Sequence, residues 1–248
     1  MKFKHGGAKG SQTMCFSAAA SFASGAVLIP AGAYCISAAI RKRPIAWPIA
    51  VAPLLFGVQQ ISEGFVWLGL DHGDPELVRQ GSLVFLFFAL AFWPFWFSFQ
   101  SAVMDPRPRA RQLFTLLAIA STFWFWVLFY PIITGPETLM TTRIVRDSIF
   151  YDITGLAIHS YANKSLLRVL YFLCIALPIV TGPETVGRLP GLCFAASAVF
   201  AAVVFHYAFV SVWCFVAAFI TLYLCWYFHC IKAESPRVVE GNLTPLVN

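Results

Sequence analysis

Long hydrophobic runs separated by short polar segments dominate the chain, at residues 16–40, 45–70, 81–104, 113–134, 165–182 and 189–231. A membrane-spanning helix needs about 20 mostly apolar residues, because the hydrocarbon core is roughly 30 Å thick and each helical residue rises about 1.5 Å. As one helix, the last run would be roughly twice as long as the bilayer is thick, so we predict a turn near residues 206–210. The pattern therefore predicts an all-α, polytopic transmembrane helix bundle of about seven spans.

The composition agrees with this prediction and excludes other classes of protein. Hydrophobic residues make up 59% of the chain and charged residues only 11%, whereas a soluble domain carries about 25% charged residues. The net charge of +6 does not indicate a nucleic-acid partner, because the Lys and Arg residues lie in short segments between apolar runs. The lipid bilayer is the partner that the composition predicts, and no nucleic acid is expected.

The distribution of basic residues predicts the orientation. Three basic residues follow the first span and three follow the third: Arg41, Lys42, Arg43, Arg107, Arg109 and Arg111. The loop between them, residues 71–76, is acidic. Short basic loops stay in the cytoplasm, so we expect the N-terminus outside and the C-terminus inside. Lys2 and Lys4 disagree with this orientation, and a signal peptide with residues 15–33 as its hydrophobic region is the alternative.

The remaining segments lie outside the predicted spans. Residues 1–13 form an N-terminal extension that is untranslated if Met14 is the start, residues 14–231 form the membrane domain, and residues 232–248 form a cytoplasmic tail. The sizeable outer loop, 135–164, mixes apolar and polar residues in a pattern that favours short strands or an amphipathic cap. A re-entrant segment at about 148–162 is the alternative.

Two nearly identical octets close the fourth and fifth spans, at residues 131–138 and 178–185. In each, a glycine followed by a proline is a helix stop signal. The predicted topology places the two octets on opposite faces of the membrane. Whether they reflect an internal duplication stays open.

Glu63 is the only carboxylate within any predicted span. A charge at the bilayer centre costs about 2.5–3.5 kcal/mol, so such a residue normally faces the bundle interior and has a partner. Gln60 and Gln59 precede it by three and four residues and so share its helix face. Two interpretations stay open: a hydrogen-bonded residue that holds helices together, and a site for a ligand, an ion or a proton.

Histidine and cysteine residues suggest a weaker metal hypothesis. His159, His206, Cys15 and Cys214 are all predicted near the outer side, and these side chains are zinc or copper ligands. The chain has no close-spaced pair of histidines, and its seven cysteines contain no C-x-x-C motif. We therefore predict no cofactor, with a metal at His159, His206 and Cys15 as the alternative.

Enzyme motifs are absent from the sequence: it has no G-x-S-x-G, no P-loop and no H-E-x-x-H. No catalytic residue is assigned. The segments 85–99 and 123–130 are crowded with Phe and Trp, which we interpret as lipid-facing packing and an interfacial belt. Pro94 lies inside the third span and predicts a kink there.

Three stretches together resemble an uncharacterised bacterial family of multi-pass membrane proteins whose members open with Met-Cys-Phe-Ser-Ala. They lie at residues 14–22, 53–67 and 209–218. The resemblance implies a bacterial inner membrane and a start at Met14, and it implies no activity. It coincides with the residues singled out on physical grounds, together with one tryptophan: Cys15, Gln60, Glu63, Trp213 and Cys214.

These observations favour a ligand-binding or sensory membrane protein without chemistry of its own. Its polar pocket would lie in the outer half of the bundle, where Glu63, Gln60 and Gln59 hold the ligand's polar group. The residues expected at the entrance and beside the pocket are His206, Trp213, Cys214 and Cys15. A sensor would need a separate effector protein, because the tail is short. The alternatives are a transporter of a small solute or a proton-coupled substrate, and a metal-dependent intramembrane hydrolase.

Overall fold

The computed structural model describes residues 17–161, 163–183, 188–205 and 209–233. The helices in these ranges are α1 (Ala18–Lys42), α2 (Pro44–His72), α3 (Pro75–Met104), α4 (Pro108–Thr134), α5 (Ile158–Tyr161), α6 (Lys164–Thr181), α7 (Arg188–Val204) and α8 (Phe209–Cys230). The strands are β1 (Thr141–Val145) and β2 (Ser148–Asp152). The predicted N-terminal extension and nearly all of the predicted tail lie outside the described residues.

The predicted helical membrane architecture is confirmed at the level of its helices. Within the described ranges, α1, α2, α3, α4 and α8 are long and apolar enough to cross a membrane, and α6 and α7 contain shorter apolar helices. The turn predicted near residues 206–210 falls where α7 ends and α8 begins, although 206–208 are not described. The count of seven spans and the orientation stay predictions.

Local capping explains why α3 begins six residues before the predicted span. The Asp74 carboxylate accepts hydrogen bonds from the backbone N–H groups of Glu76 (3.1 Å) and Leu77 (3.0 Å), and Pro75 occupies the first turn. Asp at the N-cap and Pro in the first turn both favour a helix start. Gly73 ends α2 with φ of +69°, a conformation that glycine adopts without strain. Polar residues thus form the first turn of α3, where hydropathy alone does not detect a helix.

The helices alternate in direction and so define two ends of the bundle. The Lys42 ammonium group donates to the carbonyls of Phe228 (2.8 Å) and His229 (2.9 Å), which joins the ends of α1 and α8. The Arg107 guanidinium donates to the Thr181 carbonyl (3.0 Å), which joins the start of α4 to the end of α6. We call this the basic end, and we call the opposite end, which carries β1 and β2, the hairpin end.

Helices α1 and α2 pack closely through glycines. A Cβ atom at Gly57 would lie 3.0 Å from the backbone nitrogen of Ile29, and one at Gly32 would overlap the backbone of Leu54. Small residues let membrane helices approach until their backbones touch. This pair of helices therefore forms a tightly packed wall of the bundle.

The first five residues of the two octets, 131–135 and 178–182, share two hydrogen bonds. In both, the threonine hydroxyl donates to the carbonyl four residues earlier, at 2.9 Å for Thr134 and 2.8 Å for Thr181. In both, the glycine N–H (Gly135 or Gly182) donates to the carbonyl of the octet's first proline at 2.9 Å. The first octet lies at the hairpin end and the second at the basic end, as predicted. Both octets thus end their helices with the same two hydrogen bonds, and the question of an internal duplication stays open.

The predicted strands of the outer loop are confirmed. β1 and β2 form an antiparallel hairpin in which Thr141 pairs with Asp152. Arg146 and Asp147 at its tip have φ of 48° and 59°, the left-handed geometry of a two-residue hairpin turn. Residues 148–161 thus form a strand, a turn and the short helix α5 instead of an eighth span.

The aromatic segments differ from the sequence-based expectation. Phe85, Trp93 and Trp124 are buried among the helices, whereas Phe123 and Trp126 are exposed. The expected lipid-facing belt therefore accounts for only some of these rings. The other rings fill the interior, where aromatic side chains from different helices pack against one another.

A π-helical segment, Phe87–Phe92, lies just before Pro94, where the sequence predicts a kink. Its pattern makes the Trp93 N–H donate to the Phe88 carbonyl. The next donor in that pattern would belong to Pro94, which has no N–H. The Ala89 carbonyl, five residues before Pro94, accepts a hydrogen bond from the Tyr171 hydroxyl.

Candidate functional site

Polar side chains from three elements meet in the interior near the hairpin end. Helix α2 contributes three, α8 contributes two and strand β2 contributes one. We call them the Glu63 cluster: Gln59, Gln60, Glu63, Tyr151, Ser211 and Cys214. All six residues are less than a tenth exposed, so the cluster is closed to solvent. The predicted polar pocket in this half of the bundle is thus a closed polar cluster.

Helical spacing places the first three members on one face of α2. Gln60 and Glu63 are 0% and 2% exposed, and the Gln60 amide nitrogen donates to Glu63 Oε2 at 3.5 Å. This distance is long for a hydrogen bond. The Ser211 hydroxyl of α8 also faces the Glu63 carboxyl group. The predicted pairing of Gln60 with Glu63 is present, but it is weak.

Gln59 has a different role from Gln60. Its carbonyl oxygen accepts a hydrogen bond from the indole N–H of Trp93 (2.8 Å), and its amide nitrogen donates to the Cys214 sulfur (3.3 Å). The side chain thus links α2 to α3 and α8. Both ends of the Gln59 amide are engaged, so this residue supports the cluster.

Three polar atoms of the cluster are buried without a hydrogen-bond partner: Glu63 Oε1, Gln60 Oε1 and the Tyr151 hydroxyl oxygen. More than about 90% of buried polar groups in proteins have a partner, and each unpaired one costs about 1–3 kcal/mol. Other unpaired atoms lie apart from the cluster, such as Ser98 and Gln100 on α3. The cluster therefore presents two neighbouring acceptors and one hydroxyl to which the fold gives no partner.

The cluster also lacks a cation. Within the described ranges, no Lys or Arg forms an ion pair with Glu63. Burial raises the pKa of the Tyr151 hydroxyl well above its usual range, and the neighbouring Glu63 and Cys214 raise it further. Tyr151 is consequently a neutral phenol within electrostatic reach of the carboxyl group.

The hairpin closes the cluster. The Tyr151 ring stacks on the Phe85 ring of α3, with centroids 4.9 Å apart and planes 12° apart. The Thr142 hydroxyl of β1 lies 2.9 Å from the Ser82 hydroxyl of α3. Buried residues of the hairpin region, including Ile149, join the same hydrophobic core as Cys214. The hairpin therefore covers the bundle, and it places Tyr151 in the same hydrophobic core as Phe85 and Cys214.

A cavity of about 100 Å³ lies toward the basic end, away from the cluster. Its walls include Phe97, Met104 and Leu224, and most of its lining is apolar. This cavity does not provide access to Glu63.

The other predicted site residues are placed as follows. Trp213 is buried, stacks on Phe209 with centroids 5.5 Å apart, and contacts Phe194 edge to face. It faces the apolar core between α7 and α8, and its predicted role at an entrance stays a prediction. Cys15 and His206 lie outside the described residues, as does the side chain of His159.

The metal hypothesis gains no support from the part of the chain that the structure describes. No group of three or more His, Cys, Asp or Glu side chains there has the geometry to hold a metal ion. Because the predicted ligands Cys15, His159 and His206 are not among the described side chains, this hypothesis stays a prediction.

Tyr151 and Ser211 were not found from the sequence. Ile149 and Tyr151 alternate on one strand face, and this period of two was the available signal for an inward side chain. The partner of that face was not predictable, because it lies on α2 and α8, far away along the chain.

A second buried carboxyl group lies at the basic end. Asp105 is 1% exposed and accepts hydrogen bonds from the backbone N–H (2.9 Å), Nε (2.9 Å) and Nη2 (2.6 Å) of Arg107. The guanidinium group holds the pKa of Asp105 below its usual value. This carboxylate is fully paired within its own loop.

The fold and the cluster together define a class: a polytopic helical bundle of membrane type with a closed polar cluster under a β-hairpin. Within that class, the chain belongs to a family of unknown function, DUF6629, which matches residues 14–238. No curated protein and no solved structure matches the chain.

Proposed function

We propose that this chain is an integral membrane protein that binds a small ligand at the Glu63 cluster, as a receptor or sensor without chemistry of its own. The observation that carries this proposal is the pair of buried, unpaired acceptor oxygens on Glu63 and Gln60. The two carboxamide and carboxyl oxygens are acceptors, so the ligand carries hydrogen-bond donors.

A purely structural role explains the cluster less well. A polar residue that holds membrane helices together does so through hydrogen bonds across the helices. Gln59 does this, with partners on α3 and α8. Glu63 and Gln60 each leave an oxygen unpaired in the same interior. Their arrangement fits a site that a ligand completes.

We further propose that the protein has seven spans in a bacterial inner membrane, with the basic end in the cytoplasm. Support comes from the basic residues that flank α1 and α4, including Arg43 and Arg107. Single cysteines at Asp71 and Arg109, labelled with a membrane-impermeant thiol reagent in a cysteine-free background, test this orientation. We expect labelling from outside at residue 71 and none at residue 109, and the reverse pattern would contradict the topology.

Ligand binding is tested with purified protein in lipid nanodiscs and a panel of small amines, amidines, alcohols and carboxylates. At least one class should raise the unfolding temperature of the wild type. The same class should not stabilise Glu63→Gln, which removes the acid but keeps the shape. Gln100→Leu is the matched control, because Gln100 is another buried residue with an unpaired oxygen, and this variant should respond like the wild type.

Two results would contradict the proposal. One is a panel in which no class stabilises the wild type. The other is equal stabilisation of Glu63→Gln and the wild type by every class that acts.

Transport of the same ligand is a second candidate. The π-helical segments of α3 and α4, Phe87–Phe92 and Phe125–Phe129, contact each other through Phe87 and Phe129 at 5.5 Å. Irregular helix segments of this kind occur frequently at functional sites. Ligand flux into proteoliposomes would distinguish a transporter from a receptor, which binds without flux.

A further inference from the structure

We propose that the hairpin is a movable cover, that Tyr151 occupies the place of the ligand, and that the ligand is a planar organic cation with several N–H donors, such as an amidinium. This inference rests on the proposed function, since it names the chemical class that the Glu63 cluster binds.

The space argument starts from the closed state of the cluster. Each of its side chains is less than a tenth exposed, and protein interiors are packed as densely as organic crystals. A ligand therefore needs a side chain to leave. Tyr151 is the cluster member that belongs to the hairpin, whereas the other five lie on the helices α2 and α8. Withdrawal of Tyr151 would open a flat slot of about the size of a phenol, with the Phe85 ring as one wall.

The charge argument follows from Glu63. A carboxylate in a membrane interior needs a compensating charge, and the described residues provide no ion pair to it. Glu63 Oε1 and Gln60 Oε1 both accept hydrogen bonds and both lack a donor. A cation with several N–H groups satisfies both oxygens and neutralises the carboxylate at the same time.

The shape argument follows from Phe85. Tyr151 stacks on this ring with nearly parallel planes, so the slot that it fills is flat. A planar cation over an aromatic face gains a further attraction from the ring quadrupole. An amidinium attached to an aromatic ring combines the flat shape, the charge and the paired donors that match a carboxylate.

The hairpin has the connections expected of a cover. Its two strands are held to each other by their own ladder, and Arg143 pairs with Asp152 and lies over Phe150 within the hairpin. One polar contact of the hairpin with α3 is the hydroxyl pair Ser82–Thr142, 2.9 Å apart. This pair is close enough for a disulfide to replace it.

The experiment uses a reversible lock on the cover. The double variant Ser82→Cys/Thr142→Cys is prepared in a Cys35→Ala background, because Cys35 and Cys225 have sulfur atoms only 3.5 Å apart and would otherwise also react. Mass spectrometry verifies the intended disulfide. Benzamidine is the probe, and titration calorimetry in nanodiscs measures its affinity for the oxidised and reduced protein.

We expect benzamidine to bind the reduced protein and to bind at least about tenfold more weakly after oxidation, a difference of about 1.4 kcal/mol. Added reductant should restore the affinity. Benzamide, which is neutral, and benzoate, which is an anion, should bind at least about tenfold more weakly than benzamidine. Glu63→Gln should remove the preference for benzamidine over benzamide.

A further variant does not depend on the disulfide. Tyr151→Ala opens the slot permanently and should bind benzamidine about tenfold more tightly than the wild type. Equal affinity of Tyr151→Ala and the wild type for benzamidine would contradict the claim that the ring occupies the ligand's place.

The outcomes separate this inference from the proposed function. Equal binding to oxidised and reduced protein overturns the movable cover. Benzamide or benzoate binding as tightly as benzamidine overturns the cationic ligand class. If neither the reduced protein nor Tyr151→Ala binds benzamidine, the inference fails, and the wider panel with Glu63→Gln still decides the proposed function by itself.

Discussion

The protein buries two carboxyl groups at opposite ends of the bundle, and they are surrounded very differently. Asp105 receives three hydrogen bonds from Arg107, two residues away. Glu63 receives a long hydrogen bond from Gln60, faces the Ser211 hydroxyl and keeps one oxygen unpaired. Exposure does not distinguish them, since they are 1% and 2% exposed. The buried Asp105 carboxylate forms an ion pair with Arg107, whereas the described residues provide no cation that pairs with Glu63.

Two adjacent glutamines show the same contrast on a single helix. Gln59 uses both ends of its amide to connect α2 with α3 and α8. Gln60 is equally buried, but its oxygen has no partner. Under the proposed function, Gln59 holds the bundle together and Gln60 binds the ligand, and this difference can be tested residue by residue.

The largest expected effect comes from Arg107→Met. This change leaves the Asp105 carboxylate buried with only a backbone donor, and hydrogen bonds to charged groups contribute about 1.5–3 kcal/mol. Arg107 is more than half exposed, so water screens part of its charge. We therefore expect a total loss of about 2–3 kcal/mol in the free energy of unfolding. Denaturant titration in detergent measures it. The exposed Arg109→Met is the control, and an equal loss in both variants would show that the ion pair does not stabilise the loop.

Gln59→Leu should have the next largest effect. It leaves the Trp93 indole N–H buried without an acceptor, which costs about 1–3 kcal/mol. Gln60→Leu removes an oxygen that has no partner and also the long hydrogen bond to Glu63. These two effects oppose each other, so we expect a change in the free energy of unfolding within about 0.5 kcal/mol. Unfolding measurements on the two variants side by side test the pair. A larger loss for Gln60→Leu than for Gln59→Leu would reverse the assignment of roles.

The pH dependence of stability provides a smaller effect that separates the two carboxyl groups. Because Arg107 lowers the pKa of Asp105 in the folded state, the stabilisation is present above the ordinary Asp pKa, about 3.9, and is lost as the pH falls through the folded value. The difference in stability between wild type and Asp105→Asn should thus stay constant from pH 7 to about pH 5 and shrink below the ordinary value. Parallel curves for the two proteins down to the lowest pH would contradict the lowered pKa.

The sequence predicted the helices well, because the membrane imposes both a length and an apolar composition on each span. Glu63 stood out for the same reason, as the single carboxylate within the predicted spans. Two features of α3 were not predicted from hydropathy. The first turn of α3 is polar and is defined by the Asp74 cap. The π-helical segment before Pro94 has a carbonyl, that of Ala89, whose partner is the Tyr171 hydroxyl from another helix.

The candidate site was only partly predictable. Gln59, Gln60 and Cys214 were identified beside Glu63 from helical spacing and depth. Tyr151 reaches the cluster through a contact between a hairpin and helices that are distant in sequence, and no local pattern encodes such a contact. Hydropathy also did not distinguish Gln59 from Gln60, because only the partners provided by α3 and α8 make them different.

The most direct test of the central claim is the stability and ligand response of Glu63→Leu, measured on the same nanodisc sample. Leucine fills a similar volume and removes an unpaired buried carboxyl group. We predict that the free energy of unfolding without ligand stays equal to that of the wild type or rises by up to about 1 kcal/mol, and that stabilisation by the ligand is lost. A loss of stability comparable to that of Arg107→Met, with the ligand response retained, would show that Glu63 serves the fold and not a ligand.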